Sequence, residues 1–506
     1  MQTMKRIVKD IVLYVFAAWM GISVSGCNSW LDLKPDNSQI SDQYWQSKEE
    51  VEAVLASAYK QLRSCLDEFV FWGELRGDAL DYTKSTTDDY AKIKDLDILP
   101  ENSLTRWSDL YAAIGYANSV IKYSPMVLET DATFTQTASD AYIAEAVFIR
   151  SLCYFYLVRT FNRVPWVSEP YVDDSQEYSV PVSTEAEVLN QVTTDLETWL
   201  QKCKKGYESD DPDTWMNIGR ATQWAYHALL ADIYLWQEEY SRCIEHCDKL
   251  INSQKFTLLD GKRWFELFYP GYSEEGIFEL AYDYDEDETT NNLYAWFYNS
   301  STTACSFLLT DQTVELFTEY AAVKDLRGVN VTYTEDKRIW KQGGTGKKDE
   351  GGVERSSTEL KDNNWIFYRF AEIFLMKAEA LIMSGDLKGG YDLIVDKIRT
   401  RAGYTQHPDF NEDEYSVLSF LMEEREREFI GEGKRWFDIL RMAKRAQYKY
   451  KDYLLEVLLA NVPAKFYNTY RSKLSDPNSW YLPINESEIT NSLGVLEQNP
   501  YYANVK

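Results

Sequence analysis

Apolar residues recur at three- and four-residue intervals through most of this chain, the spacing that gathers them on one face of a helix. Val51, Val54, Leu55, Ala58, Tyr59 and Leu62 form the first such stripe, and Ser47 with Glu50 has the spacing of a capping box at its start. Further stripes predict helices over 106–123, 138–161 and 184–202, the last opened by Thr184 with Glu187. Alternation with a period of two is scarce, so the expected class is mostly α-helical with minor β structure. Residues 28–44 read as an extended arm instead, because Pro35, Asp36 and Asn37 oppose a helix.

Residues 221–252 and 368–399 resemble each other, each as a pair of helices joined by a short turn. Ala231, Tyr234, Tyr240, Cys243 and Cys247 of the first correspond in spacing to Ala378, Leu381, Leu387, Gly390 and Ile394 of the second. This is tetratricopeptide-like spacing, in which a small residue admits the partner helix and larger ones fill the groove. The pairs 106–160 and 184–237 fit the same scheme less clearly. The expectation is a helical-repeat scaffold with long irregular loops.

The stretch 421–441, LMEEREREFIGEGKRWFDILR, interrupts this pattern with charge. Glu423 precedes Arg427 by four, Gly431 and Gly433 break the helix, and Trp436, Phe437, Ile439 and Leu440 restart an apolar stripe. Glu424, Arg425, Glu428, Arg435 and Asp438 are expected to form an ion network that fixes a helical corner.

Residues 256–365 have a different character, rich in Tyr, Trp, Asn, Thr and Gly, and read as a loop-rich insertion. Aromatics make up 15% of the 506-residue chain, with 37 Tyr and 16 Trp, more than packing usually demands. A sugar ring offers an apolar face to an aromatic plane while its hydroxyls seek amide, carboxylate or guanidinium partners. Two stretches mix those types: Trp72, Arg76, Asp78 and Tyr82 in the first, and Tyr282, Tyr284, Asn292, Trp296 and Tyr298 in the second. The competing reading is that these rings are core, since most large aromatics are substantially buried.

Residues 1–26 read as an export leader: Lys5, Arg6 and Lys9, then an apolar run, then small residues ending at Cys27, where lipidation is expected. Its removal takes the net charge from −28 to −30, which disfavours nucleic acid as a partner. No other stretch reads as long and apolar enough to span a bilayer. The remaining cysteines, 65, 153, 203, 243, 247 and 305, show no disulfide framework and read as buried thiols.

Reaction chemistry finds little support. The three histidines, His227, His246 and His407, lie in no metal-binding motif, and neither a GxSxG elbow nor a phosphate loop is present. The Asp283, Asp285, Glu286, Asp287, Glu288 run lacks calcium-loop spacing and reads as a solvated turn, leaving structural calcium as the one cofactor entertained. A hydrolytic carboxylate pair is defined by its separation in space, so a glycoside hydrolase stays open as an alternative.

GCNSWLDLKPD followed by YWQSKEEVEAVLASAY, then YRFAEIFLMKAEAL with IRTRAG, EREREFIGEGKRWFDILR, and WYLPINESEITNSLGVLEQNPYY resemble, in that order, the motifs of the SusD/RagB family of outer-membrane lipoproteins. The resemblance covers essentially the whole chain after the leader. It implies a tetratricopeptide-bearing α-helical fold, a ligand site in loops, no catalytic residues, an oligosaccharide or polysaccharide cargo (peptide in some members), and a SusC-like TonB-dependent transporter as partner. It points to the regions 70–90 and 280–300 for the ligand. The expected organisation is a leader at 1–26, a lipidated tether and arm at 27–44, and a single domain at 45–506 carrying the insertion at about 256–365, in an outer-membrane, surface-exposed lipoprotein.

Overall fold

A computed structural model of the chain describes residues 44–503 apart from 172–179, 208–214, 284–288, 300–303, 319–323, 357–358, 360 and 461. The lipidation candidate Cys27 and most of the acidic run therefore lie outside the described residues. The first stripe is α1, Lys48–Ser64, with Val51, Leu55, Ala58 and Leu62 buried and the Ser47–Glu50 capping box formed. It is followed by α2, Leu66–Glu74. Helices α3, Ser108–Thr130, and α4, Gln136–Phe161, form a hairpin against α1. Helix α4 is apolar all round because protein encloses it. By length and composition it would cross a membrane, contrary to the sequence expectation, but 94% of its apolar window is buried inside the fold.

Helix α5, Glu185–Trp199, starts at the Thr184–Glu187 capping box and packs on α4. The two repeats then appear as read: α6, Gln223–Trp236, with α7, Tyr240–Ile251, and α8, Phe370–Met383, with α9, Leu387–Leu393, which continues into a π-helical turn over Ile394–Arg399. Helix α7 packs against α8 and so joins the repeats. The small-residue position does what the spacing implied. A Cβ on Gly390 would lie 2.7 Å from the Ala378 carbonyl oxygen; Cys243, which matches it in the first repeat, and Cys247, which matches Ile394, have no exposed surface.

Among the described residues three two-stranded ladders fasten the loops to this scaffold, one of them pairing Val164–Pro165 with Val182–Ser183. β1, Leu80–Tyr82, pairs antiparallel with β3, Phe307–Leu309; β2, Gly276–Leu280, pairs antiparallel with β4, Trp365–Arg369. The β1–β3 ladder ties Leu80–Tyr82 to a strand just beyond the second aromatic stretch, and Phe71 packs edge-on against Trp296 of that stretch at 4.6 Å between centroids.

The charged stretch closes the fold from inside. It ends α10, Glu414–Phe429, and opens α11, Arg435–Tyr448, whose regular helix breaks at Arg445. At the centre, Arg369 bonds Glu428 at 2.5 Å, Glu432 at 2.9 Å and Glu275 at 3.1 Å, while Arg327 reaches Asp325, Glu424 and Glu428 at 2.7–2.8 Å. A second group joins Arg425 to Asp438 and Glu372, and Arg441 to Glu379 and Asp438. A third ties Arg435 to Asp78 at 2.6 Å and to Glu426 at 2.7 Å. Burial alone would raise the Glu428 carboxyl; Arg401, Arg369 and Arg327 overcome that and hold it well below its usual range.

Between α10 and α11 the backbone turns through Gly431 and Gly433, both at positive φ. Gly433 rests directly on α2: a Cβ on Gly73 would stand 1.8 Å from the Gly433 carbonyl oxygen, and the Gly433 N–H donates to Glu74 Oε1 at 2.8 Å.

Two outcomes follow for stability. Arg435→Ala leaves Asp78 and Glu426 buried without their cation, and is expected to cost about 3–5 kcal/mol in denaturant unfolding. Burial pushes the Glu74 carboxyl from 4.5 up to about 8, so the folded state binds this proton more tightly than the unfolded chain does. The stability Glu74 contributes is therefore full below pH 4.5 and lost as pH rises through about 8. Glu74→Gln, neutral throughout, is expected to flatten the decline of melting temperature across that interval.

Candidate functional site

Most side chains named from sequence as ligand contacts are framework. Trp72 is 2% exposed, and its indole N–H donates to the Leu104 carbonyl at 2.8 Å. Arg76 is buried, donates to the carbonyls of Ser479 and Trp480, and lies 4.2 Å from the Trp436 ring centroid. Asp78 is taken by Arg435. Trp296 is buried against Phe71, and Tyr298 is buried against Trp340 with Arg338 over its ring. Tyr282, also buried, donates to the Arg63 carbonyl at 2.8 Å. Trp72, Tyr282, Trp296 and Tyr298 are enclosed and turn no free ring face to a ligand, whereas Arg76 and Asp78, despite their framework bonds, line a depression together with Tyr82. Tyr82 and Asn292 are exposed, and Tyr284 lies outside the described residues.

A cleft of about 770 Å³ lies elsewhere, between one stripe of α1 and the segments 215–220 and 272–283. Glu52, Tyr59 and Arg63 recur along that stripe, so the capping and burial that fix α1 also aim them into the cleft. Opposite stands Trp215, 47% exposed. A Cβ on Gly219 would meet its ring at 2.7 Å, so the indole lies against bare backbone and keeps its remaining surface for solvent. Tyr272 and Asp283 complete the wall.

The polar groups are held in place. Arg220 donates from Nε and Nη2 to the two Glu145 oxygens at 2.9 and 2.8 Å, and Tyr207 lies 4.6 Å from its guanidinium. Tyr59 donates to Glu145 at 2.9 Å and accepts from the Ala221 N–H at 2.8 Å, so one buried carboxylate orients both residues. Arg63 donates to the Ala281 carbonyl at 3.1 Å, bridging α1 to the far wall. Burial raises the Tyr272 hydroxyl to about 12, so it stays protonated as a donor. A flat indole surface beside guanidinium, phenol and carboxylate groups can stack on a ring and bond its substituents.

Other chemistry has less to work with. Among the described residues no group of three or more His, Cys, Asp or Glu is placed to hold a metal ion. His227 and His246 hydrogen-bond each other through Nδ1 at 2.9 Å, and the six described cysteines are buried thiols. Glu279, pushed up to about 7 by burial, is 1% exposed and accepts from Asn364, which keeps it out of the cleft.

Two family models match the chain: one described as "SusD family" over residues 347–502, the other as "Starch-binding associating with outer membrane" over residues 29–235. The chain belongs to the SusD family. Among its curated relatives, SusD-like protein P38 of Formosa agariphila is 25% identical over 87% of this chain and 93% of its own length. The surface glycan-binding protein A from Bacteroides uniformis superposes with a TM-score of 0.71 at 22% identity, over 90% of this chain and 100% of that one. A laminarin-binding SusD-like protein gives 0.67 at 19% identity, over 90% and 99%. At such identities the solved structures establish the fold of this SusD-family chain, a tetratricopeptide-like helical scaffold, and its cleft is read from its own residues.

Sequence reasoning passed over Trp215, Tyr272, Arg63 and Arg220. The available signal was a lone Trp in the polar run ESDDPDTWMNIG, outside every apolar stripe. The core assignment of the other rings is checked by truncation: Trp72→Ala and Trp296→Ala are each expected to lose about 3–5 kcal/mol in urea unfolding.

Proposed function

We propose that this protein is a lipid-anchored outer-membrane lipoprotein that captures an oligosaccharide or polysaccharide at the cell surface in the Trp215 cleft and hands it to a SusC-like TonB-dependent transporter. The observation that carries the ligand assignment is the exposed Trp215 ring, backed by Gly219 and flanked by Arg63, Arg220, Glu52 and Asp283. A pyranose lies its C–H face on the indole while its hydroxyls bond the rim. Binding of this kind needs no covalent step, and an open, wet cleft gives modest affinity per sugar. The leader and Cys27 of the sequence supply the anchor, and family membership supplies the transporter.

Starch and laminarin, named for the family model and for one structural neighbour, are the first ligands to try. In affinity electrophoresis and calorimetry, Trp215→Ala is expected to weaken binding roughly three- to tenfold, the loss of one ring contact of about 0.5–1.5 kcal/mol. Melting temperature should not move, because the ring is at the surface. Unchanged affinity would remove the cleft from consideration; retention of peptides with neglect of both glycans would favour peptide capture; release of reducing ends would show a hydrolase.

A further inference from the structure

We propose that Glu279 is a positioning residue of the Trp215 cleft, fixing one wall more firmly when ionised than when protonated, so that ligand uptake releases a proton. It acts from behind that wall, through Asn364 and the backbone of Tyr272. The inference rests on the glycan reading of the cleft for its ligand and adds the regulation of that site.

Glu279 stands on β2 beside Leu280 and Ala281, which line the cleft, while its own side chain is buried away from it. Asn364 couples the two. Its Nδ2 donates to Glu279 Oε2 at 3.1 Å, and its Oδ1 accepts from the Tyr282 N–H at 3.3 Å, so one amide relays the carboxyl to the wall's backbone. The Tyr272 backbone N–H donates to the same carboxyl. Gly271, at φ 87°, lies on this pair: a Cβ there would stand 3.2 Å from Asn364 Nδ2 and 3.9 Å from Glu279 Oε2. Glu279 Oε1 is buried without a partner and rests against bare backbone, 2.6 Å from the place of a Cβ on Gly276.

This carboxyl is poised between two states. Burial pushes it from 4.5 up to about 7, the Asn364 and Tyr272 bonds pull it down, and the Glu432 carboxylate adds to the rise. The other charges packed on β2 are spent elsewhere. On β4, Arg369 is bound to Glu275, Glu428 and Glu432; on α6, Asp232 accepts from Tyr368 at 3.0 Å, Tyr226 donates to the Ala144 carbonyl and His227 pairs with His246; the turn Met216–Gly219 carries no charge. On the wall itself, Arg63 and Asp283 act on the Tyr272 hydroxyl. Ionisation of Glu279 makes the bonds from Asn364 and Tyr272 charge-assisted and stronger. It also forfeits hydration, so the fold as a whole loses stability as pH rises from 4.5 through about 7. Local tightening and global weakening thus run in opposite directions with pH.

A wall already ordered costs a ligand less to bind, and by reciprocity a ligand that prefers the ordered wall draws the proton off Glu279. The test begins without ligand. Hydrogen-exchange protection of the Tyr272 and Tyr282 amides is expected to rise roughly two- to fivefold as pH rises through about 7, the strengthening of one hydrogen bond, and to stay flat in Glu279→Gln. Asn364→Ala removes a bond that favours the ionised form and should move the Tyr272 midpoint to higher pH, which keeps the test open if Glu279→Gln fails to fold. Calorimetry with laminarin and with soluble starch near pH 7, in buffers of different ionisation heat, should show part of a proton released per ligand by the unaltered protein and none by Glu279→Gln. Protection that is flat or falls with pH in the unaltered protein, or that rises equally in Glu279→Gln, overturns the proposal, and so does glycan binding without proton release. If neither polysaccharide binds while the exchange response is intact, the glycan reading of the cleft falls and Glu279 stands as the group that sets its wall.

Discussion

Arg369 is the pivot of this molecule. It ends β4, immediately before α8, and from there it holds Glu275 at the start of β2, Glu428 on α10 and Glu432 in the turn beyond. One guanidinium thus joins a sheet, a repeat helix and a corner drawn from distant parts of the sequence. Its planar fork suits this task in a way that an ammonium would not. Such a network adds little net stability over an apolar core of the same volume, because each ion forfeits its hydration. What it supplies is geometry: the ions meet only when the elements carrying them are in one register.

That geometry reaches the surface by short routes. Asp78, held by Arg435, fixes the stretch between α2 and β1, from which Tyr82 projects. On another side, Glu145 of α4 orients Tyr59 and Arg220 and so sets two walls of the larger cleft. One wall of the Trp215 cleft, Glu52, Tyr59 and Arg63, stands on α1, which limits how far that wall can drift. The loops contribute shape, while the charged interior determines where that shape sits.

The helical scaffold was legible because its signals are local. Ser47 with Glu50 and Thr184 with Glu187 sit three residues apart, and Cys243 and Gly390 mark equivalent positions in two repeats. The ion network was legible for a similar reason: acid and base alternate within one helix and the next. The site was much less so. Trp72, Arg76 and Asp78 have the composition of a sugar contact, yet their partners are Leu104, Trp480 and Arg435, and Arg76 and Trp480 are 404 positions apart. Whether a ring is enclosed depends on such distant partners, and periodicity carries no information about them. Trp215 offered only its place in a polar run, and what seats one face of its ring, the bare backbone of Gly219, leaves no trace in periodicity.

The seat of Gly433 on Gly73 bears on how the chain is made. The Glu74–Gly433 bond spans 359 positions, so the Gly73 face of α2 waits for a partner made near the end of the chain, although Phe69 and Trp72 already meet Tyr156 and Phe161 of α4. At about 5–20 residues per second, synthesis separates these two partners by roughly 20–70 s. Throughout that interval the Gly73 face of α2 lacks its cover, and any nascent chain cut short before the EGEGK turn stays in that condition. The last quarter of the chain is thereby the lock for its first.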